Sequence, residues 1–306
     1  MSGLVPRQHT VRAAERSRDA RPALAFRDLT KVYYLRRRSP VHALDGFSLE
    51  VERGEIMGFL GPNGAGKTTA MHLALGLLRT TRGSGELLGS PFGDALAHRS
   101  VGFVPEYVGV PNRHARDVVR LAAKLNRVPD DVARRRTEEL LTQLELQQVS
   151  ERNVKGFSRG MLQRLGIAQA LVNDPELLIL DEPTSALDPA GRVLVRDLLM
   201  QCKEQGKTVF LSSHLLSEIE EVCDRVAMIV AGRLACVGSL KELLQDESRF
   251  EIVAEVDGKQ VVRTVTAAEQ RSAIESIWVS GGSVIRVQPV RRSLEDLFLK
   301  VTKASS

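Results

Sequence analysis

The chain has 306 residues, with 43 Lys plus Arg against 38 Asp plus Glu, a formal net charge of +5, and is 43% hydrophobic and 26% charged. This is globular composition for about two domains with chain enough for a sizeable core. It excludes wholesale disorder, collagen-like repetition and a disulfide scaffold. The longest apolar runs, 177–180 and 226–230, are strand-sized and far short of the roughly 20 residues of a membrane-spanning helix. The three cysteines, Cys202, Cys223 and Cys236, form no Cys-x-x-Cys pair, which points to free thiols in a reducing compartment. The mild positive balance suits a nucleotide, a nucleic acid or an anionic membrane surface equally.

In chain order, residues 1–22 are polar and Arg-rich with no apolar centre, so they predict a disordered leader and not a signal peptide. Antiparallel strands follow over about 23–30 and 43–51, with a basic loop at 36–40 between them. A short apolar strand, 56–60, runs into a glycine-rich turn and a helix over 67–78. Residues 114–147 predict two helices broken at Val128-Pro129-Asp130, where the proline disfavours continuation. A third helix covers about 160–173. The densest apolar strand, 177–180, comes next. Helix 189–205, strand 207–213, helix 215–223 and a hairpin over 225–237 complete the alternation. Strands alternating with helices predict an α/β fold with a mostly parallel sheet covered on both faces. From 250 the pattern changes to two alternating strands around Asp257-Gly258, a strong hairpin turn. A helix, a strand and a closing helix follow, and the domain boundary is expected near 245–249.

The main chemical signal is Gly61-Pro62-Asn63-Gly64-Ala65-Gly66-Lys67-Thr68-Thr69. Its glycines let successive backbone N–H groups curl around phosphate oxygens where a Cβ would obstruct them. The following helix directs its positive end at the same anion. Lys67 is placed for the β- and γ-phosphates, and the Thr68 hydroxyl for Mg²⁺. The second signal is the strand ending in Asp181-Glu182. Asp181 can hold Mg²⁺, directly or through water, and Glu182 can orient and deprotonate an attacking water.

Between these motifs, Phe157-Ser158-Arg159-Gly160-Met161-Leu162-Gln163-Arg164 opens a helix, and Ser185-Ala186-Leu187-Asp188 and His214 follow Glu182. This order over about 24–240 resembles the nucleotide-binding domain of ABC transporters. The resemblance implies a P-loop NTPase of ABC type. Its mostly parallel core sheet carries an antiparallel β subdomain and an inserted helical subdomain at about 106–173. The ABC domain then spans 23–245, with a small α+β domain at 246–306. It also implies ATP and Mg²⁺ as cofactors and a head-to-tail dimer, homo- or heteromeric, with two ATP molecules between the domains. Ser158 and Gly160 then contact the γ-phosphate held by the partner, and Asp188 belongs to a loop crossing the interface. An N-cap is an equally physical role for Asp188. His214 matches the histidine that contacts the γ-phosphate and supports Glu182. Tyr33 matches the aromatic that stacks on adenine, with Tyr34 as its alternative.

Two positions depart from the family pattern. Glu106 stands where a glutamine is usual, at the Mg²⁺ or the lytic water, and Phe157-Ser158-Arg159-Gly160-Met161 replaces Leu-Ser-Gly-Gly-Gln. Both departures, and the closing segment 293–299, resemble the branch serving ABC-2 type exporters. The resemblance therefore implies an ATPase subunit on the cytoplasmic face of the inner membrane, working with a separate permease and no specific nucleic acid. A soluble ABC ATPase acting on nucleic acid or ribosomes, or a low-turnover regulatory partner, is the alternative.

Overall fold

Buried apolar strands set the architecture. The computed structural model describes residues 21–34 and 39–304; most of the predicted leader and most of the 36–40 loop lie outside the described residues. Contacts divide the chain into a unit ending at Val237 and a second unit, Gly238–Ala304.

In the first unit, β1 (Leu24–Tyr33) pairs antiparallel with β2 (Val41–Val51). After β3 (Ile56–Leu60) comes α1 (Lys67–Ala74), then β4 (Arg82–Leu87) and β5 (Ser90–Pro91), giving a four-stranded sheet of order β2-β1-β4-β5. The chain continues through β6 (Val101–Val104), α2 (Ala115–Leu125), α3 (Asp130–Gln143), α4 (Arg159–Leu171), β7 (Leu177–Asp181), α5 (Pro189–Glu204), β8 (Thr208–Ser212), α6 (Leu216–Val222), β9 (Arg225–Val230) and β10 (Arg233–Ser239). These strands with β3 form a six-stranded sheet of order β10-β9-β3-β8-β7-β6, in which β9, β3, β8, β7 and β6 run parallel. Every residue of β3, β7 and β8 is buried, as expected of strands covered on both faces.

One core joins the two sheets. Phe26 packs edge-on to Phe47 at 5.3 Å between ring centroids, Phe47 lies 5.7 Å from Phe59, and Phe59 lies 5.0 Å from Phe210. These are ordinary separations for favourable aromatic pairs. Helix α1 inserts Ala70, Met71, Leu73 and Ala74 into the same core, which fixes the loop before it. Helices α2, α3 and α4 pack on one another as a separate layer. Arg136 of α3 donates to the carbonyls of Leu171 and Val172 at 2.8 and 2.9 Å, satisfying orphan acceptors at the end of α4.

Some boundaries differ from expectation. Helix α1 ends at Ala74 and not at 78, with Gly76 at φ 63. Strands β4 and β6 have no counterpart in the sequence reading. Burial pushes the thiols of Cys202 and Cys223 up, and all three cysteines are free.

The second unit contains α7 (Leu240–Leu244), β11 (Gln245–Val256), β12 (Lys259–Thr266), α8 (Gln270–Val279), β13 (Ser283–Arg291) and α9 (Leu294–Ala304). Its sheet has order β12-β11-β13, all antiparallel, and Ile252, Ala254 and Ile277 form its buried centre. The Asp257-Gly258 turn has φ 51 and 72, the left-handed pair a tight hairpin needs. Among the described residues no helix is long and apolar enough to cross a membrane.

Candidate functional site

The loop from Gly61 to Gly66 leaves the buried end of β3 and curls over the start of α1. Two of its glycines are required by space. A Cβ at Gly61 would sit 2.4 Å from the Ile229 carbonyl oxygen. At Gly66, where φ is 110, it would sit 2.3 Å from that of Ala43. Ala65 N–H donates to the Pro62 carbonyl at 3.1 Å, closing the turn. The Lys67 ammonium lies back across the loop, donating to the carbonyls of Gly61 at 2.6 Å and Pro62 at 3.4 Å.

Next to this loop the ends of β7 and β8 supply carboxylates and hydroxyls. Asp181 is 2% exposed, and its two oxygens accept from Thr68 Oγ1 and Ser212 Oγ, both at 2.7 Å. Ser212 Oγ in turn accepts from Glu182 N–H at 3.0 Å. Glu182 has φ 52, a left-handed conformation that costs a residue with a Cβ about 1–3 kcal/mol and persists only where its surroundings enforce it. Its Oε2 accepts the His214 backbone N–H at 3.1 Å and stands 2.6 Å from His214 Nδ1.

These groups surround a cavity of about 720 Å³, within the usual 300–1,000 Å³ of small-molecule sites. Of the residues singled out in the sequence, Tyr33, Glu106, Asp181, Glu182 and His214 line it, together with the loop residues from Pro62 to Thr69. Gly61 contributes the carbonyl that holds Lys67. Tyr33 has the Lys31 ammonium 5.1 Å from its ring centroid, a cation–π separation. Among the described residues, Lys67 is the only Lys or Arg lining the cavity, whose lining also includes the carboxylates of Asp181, Glu182 and Glu106. A polyphosphate entering that field calls for a metal cation with it. The oxygens of Thr68 and Asp181, 2.7 Å apart, are the hard donors Mg²⁺ prefers when phosphate and water complete its shell. The residues present therefore fit Mg²⁺.

Ser158, Gly160 and Asp188 do not line this cavity. Ser158 caps α4, its Oγ accepting from Met161 N–H at 3.2 Å. Asp188 caps α5 by accepting from Gly191 N–H at 2.9 Å. Gly160 lies against the segment before Asp188, since a Cβ there would be 3.1 Å from the Ala186 carbonyl oxygen. Sequence reasoning missed Ser212, Val41 and Ala43 and named Ser185 only as part of its motif, with no site role; Ser185, Val41 and Ala43 line the cavity. Ser212 carried a signal: it is a hydroxyl closing the apolar run 209–211, two residues before His214.

Comparison with known proteins gives the geometry its setting. Residues 44–185 match the family described as ABC transporter. An ABC transporter ATP-binding protein of Nostoc sp. is 38% identical over 292 residues, covering 89% of this chain and 87% of that protein. The bacitracin transport ATP-binding protein BcrA of Bacillus licheniformis is 35% identical over 299 residues, covering 90% and 95%. A solved ATP-binding subunit of an ABC transporter shares the fold at TM-score 0.70 and 24% identity, over 91% of this chain and 99% of that one. A dimeric ATP-binding cassette in a post-hydrolysis state with ADP and Pi aligns at TM-score 0.66 and 24% identity, over 71% and 98%. With relatives this similar along nearly their whole length, the chain belongs to the ABC transporter ATP-binding protein family.

Proposed function

We propose that the chain hydrolyses ATP, with Mg²⁺, to power an ABC-2 type exporter. It would do so as a dimer on the cytoplasmic face of the membrane, coupled to a separate permease. The observation that carries the reading is the joined set Lys67, Thr68, Asp181, Glu182 and His214 around one cavity. Its glycine loop has room for phosphate and for no Cβ at Gly61 or Gly66. Relatives named for bacitracin transport and Nod factor export support the exporter assignment.

The loop N–H groups and the α1 N-terminus bind the phosphates, and Lys67 turns from its carbonyl partners to them. Thr68 and Asp181 would hold Mg²⁺, which supplies charge neutralisation at the β- and γ-phosphates. Ser212 keeps Asp181 oriented. Glu182 Oε2 is engaged by His214, so Oε1 is the oxygen free to take a proton from water. As the water oxygen bonds to the γ-phosphorus and the bond to the ADP oxygen breaks, that proton passes to Glu182 Oε1. His214 holds the carboxylate in place and faces the γ-phosphate side. Tyr33 would stack on the adenine, and Glu106 would contact Mg²⁺ or the attacking water, both residues lining the cavity. Ser158 and Gly160 complete the partner's site, with Asp188 in the crossing loop.

Phosphate release by the purified chain tests the proposal. Glu182→Gln keeps volume and a hydrogen bond but cannot accept the proton, so the rate should fall about 10²–10⁴-fold, or roughly 3–5 kcal/mol of barrier. An unchanged rate with Glu182→Gln and a lost rate with Glu106→Gln would move the base to Glu106.

A further inference from the structure

The two loops that carry Glu182 and His214 are joined a second time away from the nucleotide cavity. Strands β7 and β8 are sheet neighbours up to the Asp181–Ser212 pair, and beyond it Glu182 bonds to Ser212 Oγ and to His214. Thr184 Oγ1 donates to Glu218 Oε2 at 2.6 Å. Thr184 is buried, and Glu218 sits on the first turn of α6, four residues after His214. Neither residue lines the nucleotide cavity. Both line a separate 190 Å³ cavity with apolar walls that include Leu199, Leu211 and Val222. The other oxygen, Glu218 Oε1, is buried without a hydrogen bond. Arg192 Nε lies 3.6 Å from it and also donates to the Leu187 carbonyl at 3.2 Å.

A carboxylate among apolar side chains is costly unless it is paired and hydrogen-bonded. Here Thr184 supplies its hydrogen bond, and Arg192 extends the contact to residue 187. The loop so held begins at Glu182, whose left-handed backbone persists only if its surroundings enforce it. Turn bonds from Ser185 N–H to the Glu182 carbonyl and from Leu187 N–H to the Thr184 carbonyl order the loop internally. Neither bond ties it to α6. We propose that Glu218 is a positioning residue, which through Thr184 locks the 182–188 loop to α6 and so fixes Glu182 against His214. The proposal rests on the reading of Glu182 as the group that activates water.

Steady-state ATP hydrolysis by the full chain tests it. Glu218→Ala and the near-isosteric Thr184→Val should each lower kcat about 10- to 100-fold, the scale of an ångström-sized misplacement of reacting groups. KM for ATP should stay within about twofold, because phosphate binding is untouched. Thr184→Ser keeps the hydroxyl and should restore kcat. The double variant Thr184→Val with Glu218→Ala should be no slower than the slower single variant, since both break one link. Wild-type kcat in Thr184→Val, failed rescue by serine, or multiplicative losses in the double variant would overturn the proposal. Glu182→Gln run alongside separates the two claims. An inactive Glu182→Gln with a fully active Thr184→Val refutes the link alone, whereas an active Glu182→Gln removes the base on which it rests.

Discussion

At the scale of residues, the phosphate loop combines steric necessity with charge. Gly66 has φ 110 and a backbone carbonyl where its Cβ would be, so Gly66→Ala meets both strain and collision. Lys67 is the one Lys or Arg lining the cavity among the described residues. Lys67→Ala should therefore abolish stabilisation by ATP in a thermal melt, where ligand at about 100 times Kd contributes about 2.7 kcal/mol. An undiminished shift would remove this loop from the account. The cysteines give a pH-dependent expectation. Burial disfavours the thiolate and raises the thiol pKa at Cys223 and Cys202, so at neutral pH both stay protonated. Mass spectrometry should find these two unmodified by a thiol-alkylating reagent in the native protein and modified after unfolding.

At the scale of elements, caps and close approaches decide what the sequence discloses. Ser158 and Asp188 each accept the N–H three residues on, and Ser158→Ala should lower stability in chemical denaturation by about 1 kcal/mol. Strands β3 and β7 were legible because continuous apolar runs leave few alternatives, and the α2–α3 break because Pro129 sits at it. Strand β4 was not legible: Arg-Gly-Ser-Gly-Glu-Leu carries turn residues. Its glycines serve tertiary contacts, Gly83 passing the Asp28 carbonyl and Gly85 the Phe92 ring, where a Cβ would come within 2.2 and 2.1 Å. The end of α1 was hidden for the same reason. Gly76 leaves the helix with its missing Cβ 2.5 Å from Gly93 Cα, a contact no local pattern encodes. The site was more legible than the sheet beneath it, because Lys67, Thr68, Asp181, Glu182 and His214 lie in short motifs whose chemistry restricts residue type. Thr184 with Glu218 was not, since the pair exists only between the loop after β7 and the first turn of α6.

At the scale of the whole molecule, every residue lining the nucleotide cavity precedes Val237. A chain ending at Ser239, with β10 complete, should keep its thermal stabilisation by ATP. Loss of that shift in a folded truncation would give the second unit a part in binding. The caps at Ser158 and Asp188 bear on assembly too. They order two segments that meet at Gly160 and Ala186, neither of which lines the chain's own cavity; in the proposed dimer this face would complete a second chain's site. In the proposed function, dimerisation and hydrolysis share one determinant: Glu182→Gln would remove both the proton acceptor and a negative charge beside the γ-phosphate. The most direct measurement is the mass in solution of Glu182→Gln with ATP and Mg²⁺, by size-exclusion chromatography with light scattering. The expected result is a dimer that retains intact ATP, while the wild type without its permease stays mostly monomeric. A Glu182→Gln chain that remains monomeric with ATP and releases phosphate at the wild-type rate would contradict it.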